Sequence, residues 1–263
     1  MEFPLFQVDA FTDKPFHGNP AAVVILDKWL SDDILQNIAA ENNLSETSFV
    51  QINQDGLFIR WFTPVCEVEL CGHATLAAAY IVFEKLISSS DQIKFHTKYS
   101  GDLLVAKTGS WYQMEFPALL FAEIAEPEGL IPSLGIKPSL IYKSKYDLLL
   151  VYDLEKQIRE ITPDFGKLSQ IHTRGIIITA EASSNETDFV SRYFAPKVGV
   201  NEDPVTGSAH SVLIPYWSMR LNKQEMIAKQ ISKRGGTIKC AMKKDKVIIS
   251  GQAVCVLEGT LSL

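Results

Sequence analysis

Two side chains in this sequence could exchange protons with a bound molecule. Glu46 opens a run of strand-forming residues. A carboxyl group that loses its water in a closed cleft has its pKa raised toward neutrality, where it serves as a general acid or base. His73 occupies the first turn of a predicted helix, where the helix dipole favours a neutral imidazole that gives and takes protons. The alternative for Glu46 is an exposed carboxylate with no chemical role.

Two glycine-containing turns stand at the start of apolar helices and could hold an anion. They are Cys71-Gly72-His73 and Thr206-Gly207-Ser208. A helix N-terminus presents free backbone N–H groups and a partial positive charge, which suit a substrate carboxylate. Asp203 lies four residues before Gly207, in a polar loop that is otherwise typical of a solvated turn. The alternative is that each glycine only permits a tight turn from strand to helix.

Nucleotide and metal chemistry are not predicted. The loop at 199–210 fits neither the phosphate-loop spacing nor Gly-x-Gly-x-x-Gly. The histidines show no His-x-x-x-His, Glu-x-x-His or clustered Cys/His spacing, so we expect no metal site. They are His17, His73, His96, His172 and His210.

The elements that must position these residues are mostly strands. Short runs of β-branched and aromatic residues recur between turn signals such as Asp55-Gly56 and Gly235-Gly236, a pattern typical of antiparallel hairpins. Residues 72–86 are apolar around almost the whole helical circumference, which predicts a helix surrounded by protein. A second apolar helix is predicted over 207–220. Ser31 is predicted to cap an amphipathic surface helix.

A weak internal repeat relates the two parts of the chain. Arg60-Trp61-Phe62-Thr63-Pro64 aligns with Arg192-Tyr193-Phe194-Ala195-Pro196, and Cys71-Gly72-His73-Ala74 aligns with Thr206-Gly207-Ser208-Ala209. The repeat predicts two similar halves, each a strand-rich shell around a buried helix, with a cleft between them. Proline and glycine collect between about 117 and 140, which places the predicted domains at 1–118 and 119–263.

The composition excludes several classes of protein. The 263 residues are 46% hydrophobic and 21% charged, as in soluble globular proteins. The formal charge is −6 without long basic runs, so nucleic-acid binding is not predicted. There is no apolar stretch of membrane-spanning length and no secretory signal pattern, which predicts a cytoplasmic location. The four cysteines are too few for a disulfide scaffold and are expected to be thiols.

Four separated motifs occur in order between residues 8 and 210. They are Val8-Asp9-Ala10-Phe11-Thr12 with Gly18-Asn19-Pro20-Ala21-Ala22-Val23, Glu46-Thr47-Ser48-Phe49-Val50, Arg60-Trp61-Phe62-Thr63-Pro64 with Cys71-Gly72-His73-Ala74-Thr75, and Glu202-Asp203-Pro204-Val205-Thr206-Gly207-Ser208-Ala209. Together they resemble the phenazine-biosynthesis PhzF-like family. The resemblance implies an α+β, diaminopimelate-epimerase-like fold. In that fold two pseudo-symmetric domains each wrap a β-barrel-like sheet around a central helix, and the C-terminal strand often crosses back to the first domain.

The resemblance also implies a function. The best understood member of the family is an isomerase that moves a proton within a dihydro-hydroxyanthranilate ring without a cofactor. Carried over by motif, Glu46 is the proton-shuttling acid/base, assisted by His73, Asp203 and Ser208. Gly72, Gly207 and Ser208, with the neighbouring Cys71 and Thr206, are expected to contact the carboxylate of a small substrate. A homodimer is also suggested by the family.

Two alternatives stay open at this point. One is a two-base racemase or epimerase of the same fold, which resembles enzymes that place one cysteine in each half. Cys71 stands at one such position, but Thr206 stands at the other, and its hydroxyl is too weak an acid to replace a thiol. The other alternative is a non-catalytic binding protein built on an enzyme fold.

Overall fold

The computed structural model describes residues 1–87 and 90–263. The chain folds into two compact units: Met1–Glu115 together with Ser250–Leu263, and Phe116–Ile249. Within the described residues, none of the helices combines the length and the apolar character that crossing a bilayer requires.

The first stretch of chain forms eight strands and two α-helices. In chain order they are β1 (Glu2–Ala10), β2 (Asn19–Leu26), α1 (Asp32–Asn42), β3 (Glu46–Asn53), β4 (Gly56–Phe62), β5 (Glu67–Val68), α2 (Gly72–Ile81), β6 (Gln92–Thr97), β7 (Asp102–Thr108) and β8 (Trp111–Pro117).

The strand order of the first unit combines hairpins with parallel pairs. β1 is antiparallel to β2, β2 parallel to β3, and β3 antiparallel to β4. β4 is then parallel to β6, which is antiparallel to β7. Helix α2 packs against β1, β2 and β3. It is therefore the central helix of this unit, as the apolar pattern predicts.

Helix α2 is buried on all sides. Eight of its ten residues are buried, which the small side chains of Ala77, Ala78 and Ala79 make sterically possible. The α-helix ends at Ile81, earlier than the predicted 72–86, and Val82–Leu86 continues as a π-helix. The backbone N–H of Ile87 donates to the carbonyl of Val82 at 2.8 Å, the wider spacing of a π-turn.

The following stretch forms the second unit, and a last strand ends the chain. In chain order the elements are β9 (Phe121–Glu123), α3 (Leu130–Leu134), β10 (Leu140–Ser144), β11 (Asp147–Val151), α4 (Glu155–Glu160), α5 (Phe165–Leu168), β12 (Gly175–Glu181), β13 (Phe189–Ala195), β14 (Val200–Asp203), α6 (Gly207–Leu221), β15 (Glu225–Gln230), β16 (Gly236–Lys243), β17 (Lys246–Gly251) and β18 (Ala253–Ser262).

The second unit repeats the strand pairings of the first. β10 is antiparallel to β11, β11 parallel to β12, and β12 antiparallel to β13. β13 is parallel to β15, which is antiparallel to β16. Helix α6 contains Pro215, which cannot donate to the carbonyl of Ser211. That carbonyl instead accepts from the backbone N–H of Leu119 at 2.9 Å, so the helix continues through the proline.

The last strand groups with the first unit, to which the family resemblance expects the C-terminal strand to cross back. β18 is antiparallel to β1 from Ala10 opposite Ala253 to Glu2 opposite Ser262. β1 pairs with β2 along one edge, and β18 satisfies the backbone N–H and C=O groups along the other. This pairing explains why residues 250–263 group with the first unit.

The repeated arginines form matching ion pairs. Arg60 of β4 donates through Nε and Nη2 to Glu67 at 2.6 and 2.8 Å, and Arg192 of β13 donates to Glu202 at 2.7 and 3.0 Å. In each unit the pair ties the strand to the acidic segment that leads to the central helix. The sequence repeat therefore records a repeated structural contact.

Replacing Arg192 with Met is expected to lower the free energy of unfolding by about 3 kcal/mol, because it leaves a mostly buried Glu202 without its cation. Arg192 Nη1 also donates to the carbonyls of Ile158 and Ile161. The matched control is Lys156→Met on α4, whose exposed ion pair with Glu160 contributes less than about 1 kcal/mol. Urea unfolding of the two variants measures the difference, and equal stabilities would contradict the prediction.

Candidate functional site

The central feature of the first unit is a contact between Glu46 and His73. Glu46 is the first residue of β3, placed opposite Ala21 by the parallel pairing with β2. His73 is the second residue of α2. His73 Nε2 lies 3.1 Å from Glu46 Oε2, and the two side chains are 7% and 18% exposed. The strand start and the helix start thus bring together the two residues predicted to exchange protons.

Cys71 and Asn19 complete the surroundings of the imidazole. Nδ1 of His73 lies 3.5 Å from Cys71 Sγ and 3.3 Å from Asn19 Nδ2. Cys71 directly precedes α2, and Asn19 is the fully buried first residue of β2. Asn19 lies within one of the family motifs, but no role was predicted for it. Its position between a positive-φ glycine, Gly18, and Pro20 is the signal that could have drawn attention to it.

The protonation of Glu46 and His73 differs from the expectation. Burial favours the neutral acid, but the neighbouring His73 outweighs burial and lowers the pKa of Glu46. Burial also opposes the charge on His73, but Cys71 and the Glu46 carboxylate outweigh it and raise the pKa of His73 well above its ordinary value. The predicted raised pKa of Glu46 and neutral His73 are both wrong. The directions of these two pKa shifts favour a carboxylate beside an imidazolium.

Cys71 remains a thiol in this environment. Burial and the nearby carboxylate of Glu46 both raise the pKa of its thiol group. A protonated, buried thiol is a poor base and a poor nucleophile.

In the second unit a hydrogen-bonded cluster stands before helix α6. Thr206 Oγ1 donates to Asp203 Oδ2 at 2.5 Å, and the Thr206 backbone N–H donates to Gln230 Oε1 at 2.8 Å. Gln230 Nε2 donates in turn to the backbone carbonyl of Asp203 at 2.7 Å. Gln230 was not among the predicted site residues, because a lone glutamine at the end of a strand carries no distinctive signal. The cluster holds Asp203 at a defined distance from the start of the helix.

The remaining predicted site residues lie at the two helix starts. Gly72 and Gly207 are the first residues of α2 and α6, and Ser208 is exposed on the first turn of α6. Thr206 is buried, with its hydroxyl engaged by Asp203. The structure thus groups Glu46, Cys71, Gly72 and His73 in the first unit. It groups Asp203, Thr206, Gly207 and Ser208 in the second.

The two units differ at the position of the carboxylate. Phe62 and Phe194 are aligned in the sequence repeat. Thr47 lies opposite Phe62, and Ile176 lies opposite Phe194. The residues that precede these two, Glu46 and Gly175, therefore occupy matching positions in the two units. A Cβ atom on Gly175 would collide with the hydroxyl of Tyr193. Among the described residues, the second unit therefore has no space for a side chain where the first unit has its carboxylate.

Comparison with known proteins identifies the family of the chain. The family model for phenazine biosynthesis-like proteins, PhzC-PhzF, matches residues 8–259. The chain is similar to an uncharacterized isomerase of Halalkalibacterium halodurans, with 49% identity over the whole of both chains. It is also similar to a PhzF-family phenazine biosynthesis protein of Enterococcus faecalis, whose crystal structure matches the whole chain with a TM-score of 0.96 and 44% identity.

A more distant structure supports the fold alone. A hydroxyproline epimerase from Agrobacterium vitis matches with a TM-score of 0.62 and 11% identity, covering 100% of this chain and 93% of that one. The predicted α+β, epimerase-like fold is thereby confirmed. The chain belongs to the PhzC-PhzF family of phenazine biosynthesis-like proteins and is, at the level of that family, an enzyme of the isomerase type.

Proposed function

We propose that this protein isomerises a small cyclic or conjugated carboxylate by moving a proton from one carbon to another, with Glu46 as the shuttling base. The observation that carries the proposal is the buried pair of the Glu46 carboxylate and the His73 imidazole, 3.1 Å apart, in the first unit. The proposed chemistry requires only general acid/base groups.

The ion pair suits the first half of the reaction. An ionised Glu46 accepts a proton from an acidic carbon of the substrate, and His73, as an imidazolium, stabilises the negative charge that develops in the conjugated system. Glu46 then holds the proton as a carboxylic acid and returns it to a second carbon on the same face. A base held within about 3 Å of both carbons does not need to exchange its proton with water. No atom is gained or lost, so the reaction is an isomerisation.

The residues that differ between the two halves of the repeat support a mechanism with one catalytic base rather than two. A two-base racemase needs an acid/base group on each side of the carbon, but the position that matches Cys71 holds Thr206, and the position that matches Glu46 holds Gly175. The thiol of Cys71 has its pKa raised by burial and by Glu46, which weakens it further as a base. The burial of Glu46 also argues against a non-catalytic binding protein, in which this carboxylate would be expected to face bulk solvent.

The substrate carboxylate is proposed to bind at a helix start. Gly72 and Gly207 begin α2 and α6, where backbone N–H groups and the helix dipole favour an anion. Ser208 adds an exposed hydroxyl on the first turn of α6. Asp203 and Ser208, in the second unit, are assigned a part in the reaction because they match the family motif.

Replacing Asp203 with Asn is expected to lower kcat/KM by roughly 100-fold if the carboxylate takes part in proton transfer. Asn retains an oxygen that can accept from Thr206, so the loop geometry is preserved. The matched control is Asp245→Asn in the turn before β17, an exposed acid. Steady-state kinetics of both variants decide the point. An Asp203→Asn enzyme as active as the control would remove Asp203 from the mechanism.

The pH dependence of kcat/KM is expected to be bell-shaped. The pKa of Glu46 is lowered from 4.5, so the acid limb lies below that value, where protonation removes the base. The pKa of His73 is raised well above 6.5, so the alkaline limb lies above that value, where loss of the imidazolium removes the cation. Rates recorded in the presence of a chelator measure the profile. An acid limb near neutrality would contradict the assigned protonation states.

The experiment that tests the proposal is a conversion assay with a panel of small unsaturated and amino-bearing carboxylates, beginning with the dihydro-hydroxyanthranilate suggested by the family. Products are identified by chromatography and mass spectrometry, since an isomer retains the mass of its substrate. We expect at least one member of the panel to be converted to an isomer. Products that differ in mass from their substrates would contradict the proposed reaction class.

A further inference from the structure

Three different metal-binding groups meet beside the proposed base. One ligand atom from each of Glu46, Cys71 and His73 lies within 4.8 Å of the others. The set offers an oxygen, a sulfur and a nitrogen, which is a donor combination that Zn²⁺ and similar divalent cations accept. Sequence spacing predicted no metal site, because the three residues come from a strand start and a separate helix start rather than from one motif.

The distances fit a small cation after modest rotation of side chains. Two ligands of a tetrahedral zinc ion lie roughly 3.4 to 3.7 Å apart, given bond lengths of about 2.1 Å to nitrogen or oxygen and 2.3 Å to sulfur. Cys71 Sγ and His73 Nδ1 are already 3.5 Å apart. Glu46 lies on the Nε2 side of the ring, 3.1 Å from that nitrogen, so its carboxylate must rotate toward the thiol to complete the set.

One oxygen of the cluster leaves bonding capacity unused. Glu46 Oε2 is buried and is without an aligned hydrogen bond within the part of the chain that the structure describes. It lies 3.1 Å from His73 Nε2, whereas the ring nitrogen beside Cys71 Sγ is Nδ1. A buried oxygen in this condition gains from a ligand that coordinates it.

The charge balance also suits a cation. A carboxylate, a thiol and an imidazole stand together with most of their surface buried. A bound Zn²⁺ would hold Cys71 as a thiolate and His73 through an unprotonated ring nitrogen, and any proton on either ligand atom would be released to water. No oxidation state changes in this exchange.

We propose that Glu46, Cys71 and His73 form a binding site for a thiophilic divalent cation, of which Zn²⁺ is the type, and that the bound ion blocks proton transfer. The binding site follows from the cluster itself, whereas the inhibition rests on the proposed function. A cation at this place occupies the oxygen that must accept the substrate proton. The metal is thus an inhibitor or regulator of the enzyme rather than its cofactor.

Cobalt titration tests the site without any substrate. Co²⁺ is added to the reduced, metal-free protein, and thiolate coordination is followed by the charge-transfer absorption that it produces in the near ultraviolet. We expect saturation at one equivalent and loss of the band when Zn²⁺ is added. Cys71→Ala should abolish the band, and Cys71→Ser should weaken cobalt binding by more than about 100-fold. The matched control is Cys66→Ala, which removes an exposed thiol and should leave the band unchanged.

Two results would overturn the site. One is the absence of a thiolate band in folded wild-type protein, and the other is a band that survives in Cys71→Ala and disappears in Cys66→Ala. Circular dichroism of each variant confirms that the fold is retained. Inhibition is tested separately on any substrate that the enzyme converts. Stoichiometric binding of Zn²⁺ with unchanged turnover would contradict the inhibition while leaving the proposed isomerase intact.

Discussion

Replacing Glu46 with Gln is expected to reduce turnover by roughly 10⁴-fold while leaving the fold and substrate binding nearly intact. Gln has almost the same size and shape as Glu, so it fills the space beside His73, but its amide neither accepts nor returns a proton. The loss should fall on kcat rather than on KM, because the substrate carboxylate is proposed to bind at a helix start and not at Glu46.

The control for this variant is Glu41→Gln on α1, an exposed acid that is expected to have no effect on activity. Thermal unfolding of both proteins shows whether either substitution disturbs the core. Full activity in the Glu46→Gln enzyme would remove the base from the proposed mechanism.

Replacing His73 with Ala is expected to lower kcat/KM by at least about 100-fold and also to change the pH profile. The imidazolium lowers the pKa of Glu46 against the opposing effect of burial. Without it, burial is opposed only by the hydrogen bond from Cys71, so the pKa of Glu46 rises and the acid limb of the profile moves to higher pH. The rate at a fixed acidic pH should therefore fall further than the rate at neutral pH.

The shift of the acid limb separates a role in charge stabilisation from a merely structural one. His73→Gln is a useful second variant, because an uncharged side chain of similar length keeps the packing but not the cation. Both substitutions should move the limb in the same direction. An unmoved acid limb in a folded variant would show that His73 does not control the protonation of Glu46.

Much of the fold could be predicted from local patterns. The absence of a polar face identified α2 as a buried helix, and the repeated Arg-aromatic-Phe pattern identified two related halves. What local patterns missed depends on contacts between distant residues. β18 joins the first unit through its pairing with β1, which the family resemblance implied but no local pattern did. The α-helix predicted to reach residue 86 changes to a π-helix at Val82.

The candidate site could also be predicted only in part from local patterns. Glu46 and His73 could be selected from the sequence because each begins an element, but their protonation depends on the distance between them. Burial alone predicted a neutral carboxylic acid, and the ion pair reverses that prediction. Asn19 and Gln230 contact residues 54 and 24 positions away, which no local motif encodes.

The most direct test of the central claim is the reaction of wild type and Glu46→Gln, side by side, with the dihydro-hydroxyanthranilate in heavy water. Conversion to an isomer is followed by chromatography, and deuterium content is followed by mass spectrometry, since a shuttle that returns its own proton converts substrate with little label. We expect conversion, with or without label, by the wild-type enzyme alone. Equal conversion by the two proteins would contradict the account, because the proton would then move without Glu46.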